Sequence, residues 1–110
     1  MSTPLHALKS EFFRMLANPT RIRILEQLVP GERSVQDLQS VLTLDQPIVS
    51  QQLARLRASG VVTTAKSGTT VTYALADPLL KDLLRVAKDI LNRRLTGAQV
   101  LLRELRRHHA

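Results

Sequence analysis

Two short stretches of this 110-residue chain carry side chains suited to specific chemistry. Residues 46–57, QPIVSQQLARLR, interleave amides, a hydroxyl and two guanidinium groups with apolar residues. Residues 66–69, Lys66-Ser67-Gly68-Thr69, set a cation and two hydroxyls around a glycine. Amides and hydroxyls carry the donors and acceptors that match base edges, and arginine and lysine pair with phosphate. Gln51 suits bidentate pairing with adenine, whereas Ser50 can donate or accept and so discriminates less. The segment 46–76 holds Arg55, Arg57 and Lys66 and no acidic residue, so a polyanion meets no repulsion there. Both stretches point to recognition of double-stranded DNA.

Catalysis is poorly supplied. A hydrolase or transferase needs a nucleophile beside a base, a metal, or a phosphate-cradling loop. Cysteine is absent, and no histidine lies between residues 7 and 107. The four glycines, Gly31, Gly60, Gly68 and Gly97, stand singly. The missing thiols also exclude a disulfide scaffold, a Cys-ligated metal and a thiol redox switch. His6, His108 and His109 sit at the termini, where imidazoles are usually solvated, so neither a metal nor another cofactor is expected. With 16 basic against 9 acidic residues the net charge is +7, which favours a polyanionic partner. No apolar run approaches the roughly 20 residues of a membrane span. Lys9, Glu11 and Arg14 interrupt the place of a signal peptide's apolar run. A cytoplasmic protein is expected, nucleoid-associated when bound.

The elements that must position these groups follow from periodicity and capping. Leu5, Leu8, Phe12 and Met15–Leu16 recur at helical spacing and predict an amphipathic helix over 4–17. Asn18-Pro19 supplies an N-cap and a first-turn proline for a second helix, with apolar Ile22, Leu25 and Leu28–Val29. Ser34 and Asp37 form a capping pattern for a third, with Val35, Leu38 and Val41–Leu42 facing the core. Asp45 and Pro47 open a fourth, 46–59, which Gly60 stops. VVTTAK and TVTYAL around Ser67-Gly68-Thr69 predict a β-hairpin over 61–76. Asp77-Pro78 opens a C-terminal helix over 77–108. Thr96 and Gln99 repeat a capping pattern, so a break near Leu95–Gly97, giving a helix pair, is the alternative. Asp82, Asp89 and Glu104 interleave with Lys81, Arg85, Lys88 and Arg103 and predict i,i+4 pairs on a solvated face.

The fold class is mainly α with a small β-hairpin (α+β), in the order ααααββα(α). That is one winged helix-turn-helix domain over 1–110, with its helical core at 19–60. At 100° per residue, Val49, Leu53 and Leu56 fall within about 60° of one another and form a core stripe. Pro47, Ser50, Gln51, Ala54 and Ala58 lie opposite, flanked by Arg55 and Arg57. Small residues let a helix backbone approach the bases, and flanking cations meet the phosphates lining the groove. At the hairpin tip Lys66, Ser67, Gly68 and Thr69 would serve as a wing against the backbone or minor groove.

LANPTRIRILEQL, SVQDLQSVL, QPIVSQQLARLRASGVV and TVTYAL together resemble the ArsR/SmtB family of bacterial winged-helix repressors, over roughly residues 5–95. The resemblance implies a homodimer through the first and last helices, with recognition helices in successive major grooves of an imperfect inverted repeat. On the first and last helices the candidate interface residues are Leu5, Leu8, Phe12, Leu80, Leu84, Ala87 and Leu91. It also implies DNA contacts by Gln46, Ser50 and Gln51, whereas Pro47 departs from the small polar residue many relatives carry. Metal-sensing relatives place a cysteine pair on the third helix, or an Asp-x-His with a second His on the last. Here the third helix has no thiol and Asp82 is followed by Leu84. The effector is not legible. A basic architectural DNA-binding dimer and a winged-helix protein-interaction module are the alternatives to a sequence-specific repressor.

Overall fold

The computed structural model describes residues 3–108. The elements are α1 (Leu5–Leu16), α2 (Pro19–Leu28), β1 (Arg33–Ser34), α3 (Val35–Leu42), α4 (Gln46–Ala58), β2 (Val62–Ser67), β3 (Thr70–Leu75) and α5 (Leu79–His108). They fall into two compact units, one ending at Pro78 and the other beginning at Leu79.

In the first unit, the helix boundaries follow local capping chemistry. Asn18 caps α2, its side chain accepting from the Arg21 N–H at 3.0 Å, with Pro19 in the first turn. Ser34 and Asp37 form a complete capping box on α3: the Asp37 N–H donates to Ser34 Oγ at 3.1 Å, and Ser34 N–H to Asp37 Oδ2 at 3.4 Å. Asp45 occupies the N-cap position of α4 but makes no side-chain capping bond. Helix α4 ends in a Schellman motif. Gly60 stands at φ 79°, Val61 N–H donates to Leu56 O at 3.0 Å, and Gly60 N–H to Arg57 O at 3.0 Å. Helix α3 ends differently, with Thr43 itself in the left-handed region at φ 55°, ψ 50°. That conformation suits Gly or Asn and strains a β-branched residue.

The sheet has three antiparallel strands in the order β1-β3-β2. The hairpin of β2 and β3 runs in register from Val62↔Leu75 to Ser67↔Thr70, leaving Gly68-Thr69 as a two-residue turn. Gly68 takes φ 62° and Thr69 stays at negative φ, as a type II′ turn requires. Strand β1 was not anticipated. It pairs Arg33 with Tyr73 and Ser34 with Thr72, so Ser34 ends a strand and caps a helix at once.

The core comprises Ile24, Leu25, Leu28, Leu38, Leu42, Val49, Leu53, Leu56, Val61 and Val62, all buried. Two expectations need correction. Ile24 is fully buried although it lies outside the predicted apolar face of Ile22, Leu25 and Leu28–Val29; α2 packs against α1, α3, α4 and β3, so it buries a wider arc than one stripe. Val41, whose spacing predicts a core position, is 48% exposed, since α3 is covered only along the side bearing Leu38 and Leu42.

The second unit is a single helix of 30 residues, about 45 Å long. No break occurs at Leu95–Gly97. Thr96 Oγ1 donates to the Asn92 carbonyl at 2.8 Å, an i−4 bond made inside a helix, rather than capping a new one. The charged face pairs at i,i+3 rather than i,i+4, as Asp82–Arg85 and Glu104–Arg107. Among the described residues, no helix is long and apolar enough to cross a membrane.

Two substitutions test the helix ends. Ser34→Ala removes the α3 cap and is expected to lower unfolding free energy by about 1 kcal/mol. Thr43→Asn relieves the left-handed strain and is expected to raise it by about 0.5–1 kcal/mol. Denaturant midpoints measured at constant m-value check both.

Candidate nucleic-acid interface

Helix α4 is anchored along one side only. Val49, Leu53 and Leu56 are all 0% exposed. Helices α2 and α3 and strand β2 pack against α4. The other side is bare: Gln46, Pro47, Ser50, Gln51, Ala54, Arg55, Arg57 and Ala58 are all exposed. The adjacent amides Gln51 and Gln52 have opposite fates. Gln51 is exposed, while Gln52 is half-buried and accepts a hydrogen bond from Arg21 Nη1 at 3.1 Å. Ala54 leaves the middle of the exposed face without bulk, so a partner surface can approach the helix backbone. A turn of three residues, Thr43-Leu44-Asp45, joins α3 to α4. Gln36, Gln39 and Ser40 of α3 line a shallow concavity there with Thr43, Leu44 and Asp45. These α3 groups were not singled out from the sequence, because their place beside the start of α4 depends on how sharply the turn folds back.

The wing begins where α4 ends. Val61 and Val62 are buried at its base, and the tip lies roughly 17 Å away along a six-residue strand. Lys66, Ser67, Gly68 and Thr69 are all exposed at the tip.

The arginines of the first unit divide by what they touch. Arg14 pairs with Glu11 at 2.9 Å. Three others donate to carbonyls at helix C-termini: Arg21 Nε to Met15 O at 2.6 Å, Arg23 Nη2 to Leu42 O at 3.0 Å, and Arg33 Nε to Gln27 O at 2.8 Å. These placements complement the negative ends of α1, α3 and α2. Arg55, Arg57 and Lys66 make no ion pair or side-chain hydrogen bond among the described residues. The acid-free segment is thus also where the unengaged arginines lie.

The candidate dimer residues are spread over both units. Helix α1 has no buried residue, and Leu5, Leu8, Phe12 and Phe13 are exposed, the two phenyl rings edge to face at 5.7 Å. On α5, Leu80 is buried, Leu84 half-buried, and Ala87 and Leu91 exposed. Among the described residues, no group of three or more His, Cys, Asp or Glu is placed to hold a metal ion; the His108 side chain and His109 lie outside them.

Residues 18–64, from the α2 cap into β2, match the family model described as "Bacterial regulatory protein, arsR family". The chain is 45% identical over 106 residues to the HTH-type transcriptional regulator Rv0081 of Mycobacterium tuberculosis, covering 96% of this chain and 93% of the relative. The crystal structure of Rv0081 superposes with a TM-score of 0.80 at 46% identity, over 88% of this chain and 98% of that one. The HTH-type transcriptional repressor SmtB of M. tuberculosis is 49% identical over 67 residues, 61% of this chain and 50% of the repressor. The solution structure of Mb0332 from Mycobacterium bovis, described as a homodimeric winged helix-turn-helix DNA-binding domain, has a TM-score of 0.75 at 26% identity, over 88% of this chain and 93% of that one. With its helix-turn-helix, its hairpin wing and a full-length relative at this identity, the chain belongs to the ArsR family of bacterial regulatory proteins, the winged helix-turn-helix transcriptional regulators.

Proposed function

We propose that this regulator is a homodimeric repressor that binds an imperfect inverted repeat in double-stranded DNA, with α4 in the major groove and the wing on the flanking backbone. The observation that carries the reading is the sorting of side chains on α4: Val49, Leu53 and Leu56 buried, Ser50 and Gln51 bare, and Arg55 and Arg57 unengaged. Gln46, Ser50 and Gln51 read base edges, and Pro47 and Ala54 admit the backbone to the groove. Arg55, Arg57 and Lys66 meet phosphates, joined at the tip by the Ser67 and Thr69 hydroxyls where Gly68 makes the turn. SmtB is named a repressor and Mb0332 a homodimer, which supports the same assignments here.

Dimerisation is assigned to Leu5, Leu8 and Phe12 of α1 and to Leu84, Ala87 and Leu91 of α5; Leu80, expected beside them, is buried within the single chain and has little surface left for a partner. An amphipathic helix of 12 residues with nothing buried is marginal in water, and a second copy would supply the missing cover. The protein acts in the cytoplasm, on the nucleoid, and catalyses no reaction.

Gln51→Ala is expected to weaken binding to the preferred duplex by about 1–3 kcal/mol and to leave binding to scrambled DNA unchanged. Arg57→Ala is expected to weaken both duplexes alike and to reduce the salt slope by about 1. Fluorescence-anisotropy titrations at several salt concentrations check both; equal losses on both duplexes from Gln51→Ala would remove it from base readout. Leu8→Glu, on an exposed position, is expected to yield a folded monomer by sedimentation, with operator affinity sharply reduced.

A further inference from the structure

We infer that Arg21 is a positioning residue for DNA recognition, locking α4 to the end of α1 through Gln52. The inference rests on α4 being the helix that enters the groove. Arg21 is the third residue of α2 and only 8% exposed, and it forms no ion pair among the described residues. A buried guanidinium without a carboxylate has to be satisfied by neutral acceptors. Here Nε donates to Met15 O at 2.6 Å, Nη2 to Arg14 O at 3.4 Å, and Nη1 to Gln52 Oε1 at 3.1 Å. The first two carbonyls belong to the last turn of α1, whose negative dipole end offsets the charge. Among the described residues, no buried side-chain nitrogen or oxygen lacks a partner.

The remaining anchors of α4 are apolar. Packing of Val49, Leu53 and Leu56 is non-directional and holds the helix down while resisting small rotations about its axis only weakly. The guanidinium fork is planar and directional, so its bond to Gln52 fixes the azimuth of α4. Gln52 lies about 100° around the helix from Gln51. Holding Gln52 inward therefore sets where Ser50 and Gln51 point. Because the same guanidinium grips α1, the seating of the dimerisation helix and the aim of the recognition helix share one side chain.

The test uses a duplex enriched from a random pool by the wild-type protein, and a scrambled duplex, titrated against Arg21→Met, Gln52→Met, the double variant and Gln52→Glu. Each single Met variant is expected to lower the specific-to-scrambled affinity ratio by about tenfold, since a hydrogen bond to a charged group is lost. Scrambled-duplex affinity and salt slope should change by less than about twofold, because the phosphate-facing cations are untouched. The double variant should lose no more than the worse single one, as expected for two residues acting through one contact. Gln52→Glu keeps an acceptor for Arg21 and should hold the ratio even as its charge weakens both duplexes together. An unchanged ratio in the Met variants, or losses on both duplexes in step with thermal stability, overturns the inference. Should Arg21→Met fail to fold, the Gln52 pair decides: ratio lost with Met and kept with Glu supports it, and any other result overturns it. A wild-type protein that enriches no duplex overturns the proposed function as well, whereas a selective wild type with equally selective variants overturns this inference alone.

Discussion

A helix meant to be read by another molecule has to be held from one side only, and in this chain that constraint falls on Val49, Leu53 and Leu56. All three are removed from water, and each contributes about 2 kcal/mol of burial, an upper figure because the unfolded chain already hides some apolar surface. With α4 pinned by three side chains spaced four and three apart, its opposite face needs no apolar residue of its own. The chain fills that face with serine, glutamine, alanine and arginine. The Schellman turn at Gly60 then reverses the backbone directly into the wing, so one buried stripe and one glycine place both surfaces proposed to meet DNA.

Net charge alone is a blunt guide to such a surface. The first unit's arginines look interchangeable in composition, yet Arg21, Arg23 and Arg33 neutralise helix C-termini and Arg14 is paired with Glu11. Arginine suits this work because its stem crosses apolar surface while its fork satisfies several carbonyls. Subtracting these engaged groups leaves, beside Lys9 on α1, a sparser positive surface concentrated on α4 and the wing. The long second unit carries its own excess of cations, Arg93, Arg94, Arg103, Arg106 and Arg107 among them, on a helix that also exposes Leu91, Leu95, Leu101, Leu102 and Leu105.

Much of this was legible in the sequence wherever one residue type has a local structural meaning. Asn18-Pro19, the Ser34/Asp37 box, Gly60 and the Ser67-Gly68-Thr69 turn each specify backbone geometry within four residues, and each stands where its chemistry demands. The face assignment on α4 succeeded for a similar reason, since an isolated stripe of Val49, Leu53 and Leu56 leaves one choice of which face turns inward. Features set by distant residues were hidden. Strand β1 exists because Tyr73 and Thr72 offer it an edge, which two residues beside a helix cap do not announce. The inward turn of Gln52 depends on Arg21, 31 positions away. Thr43 adopts a glycine-like conformation without being glycine, and Thr96 mimics a cap while bonding backward within α5.

The most direct measurement is selection from a random duplex pool, with the winners titrated against scrambled DNA at several salt concentrations. Enrichment of an inverted repeat whose half-sites lie about one helical turn, roughly 10 base pairs, apart is expected, as two copies of α4 in successive major grooves require. Binding with a steep salt slope and no enriched motif would contradict it, and would make this chain a basic coat for DNA instead of a reader of sequence.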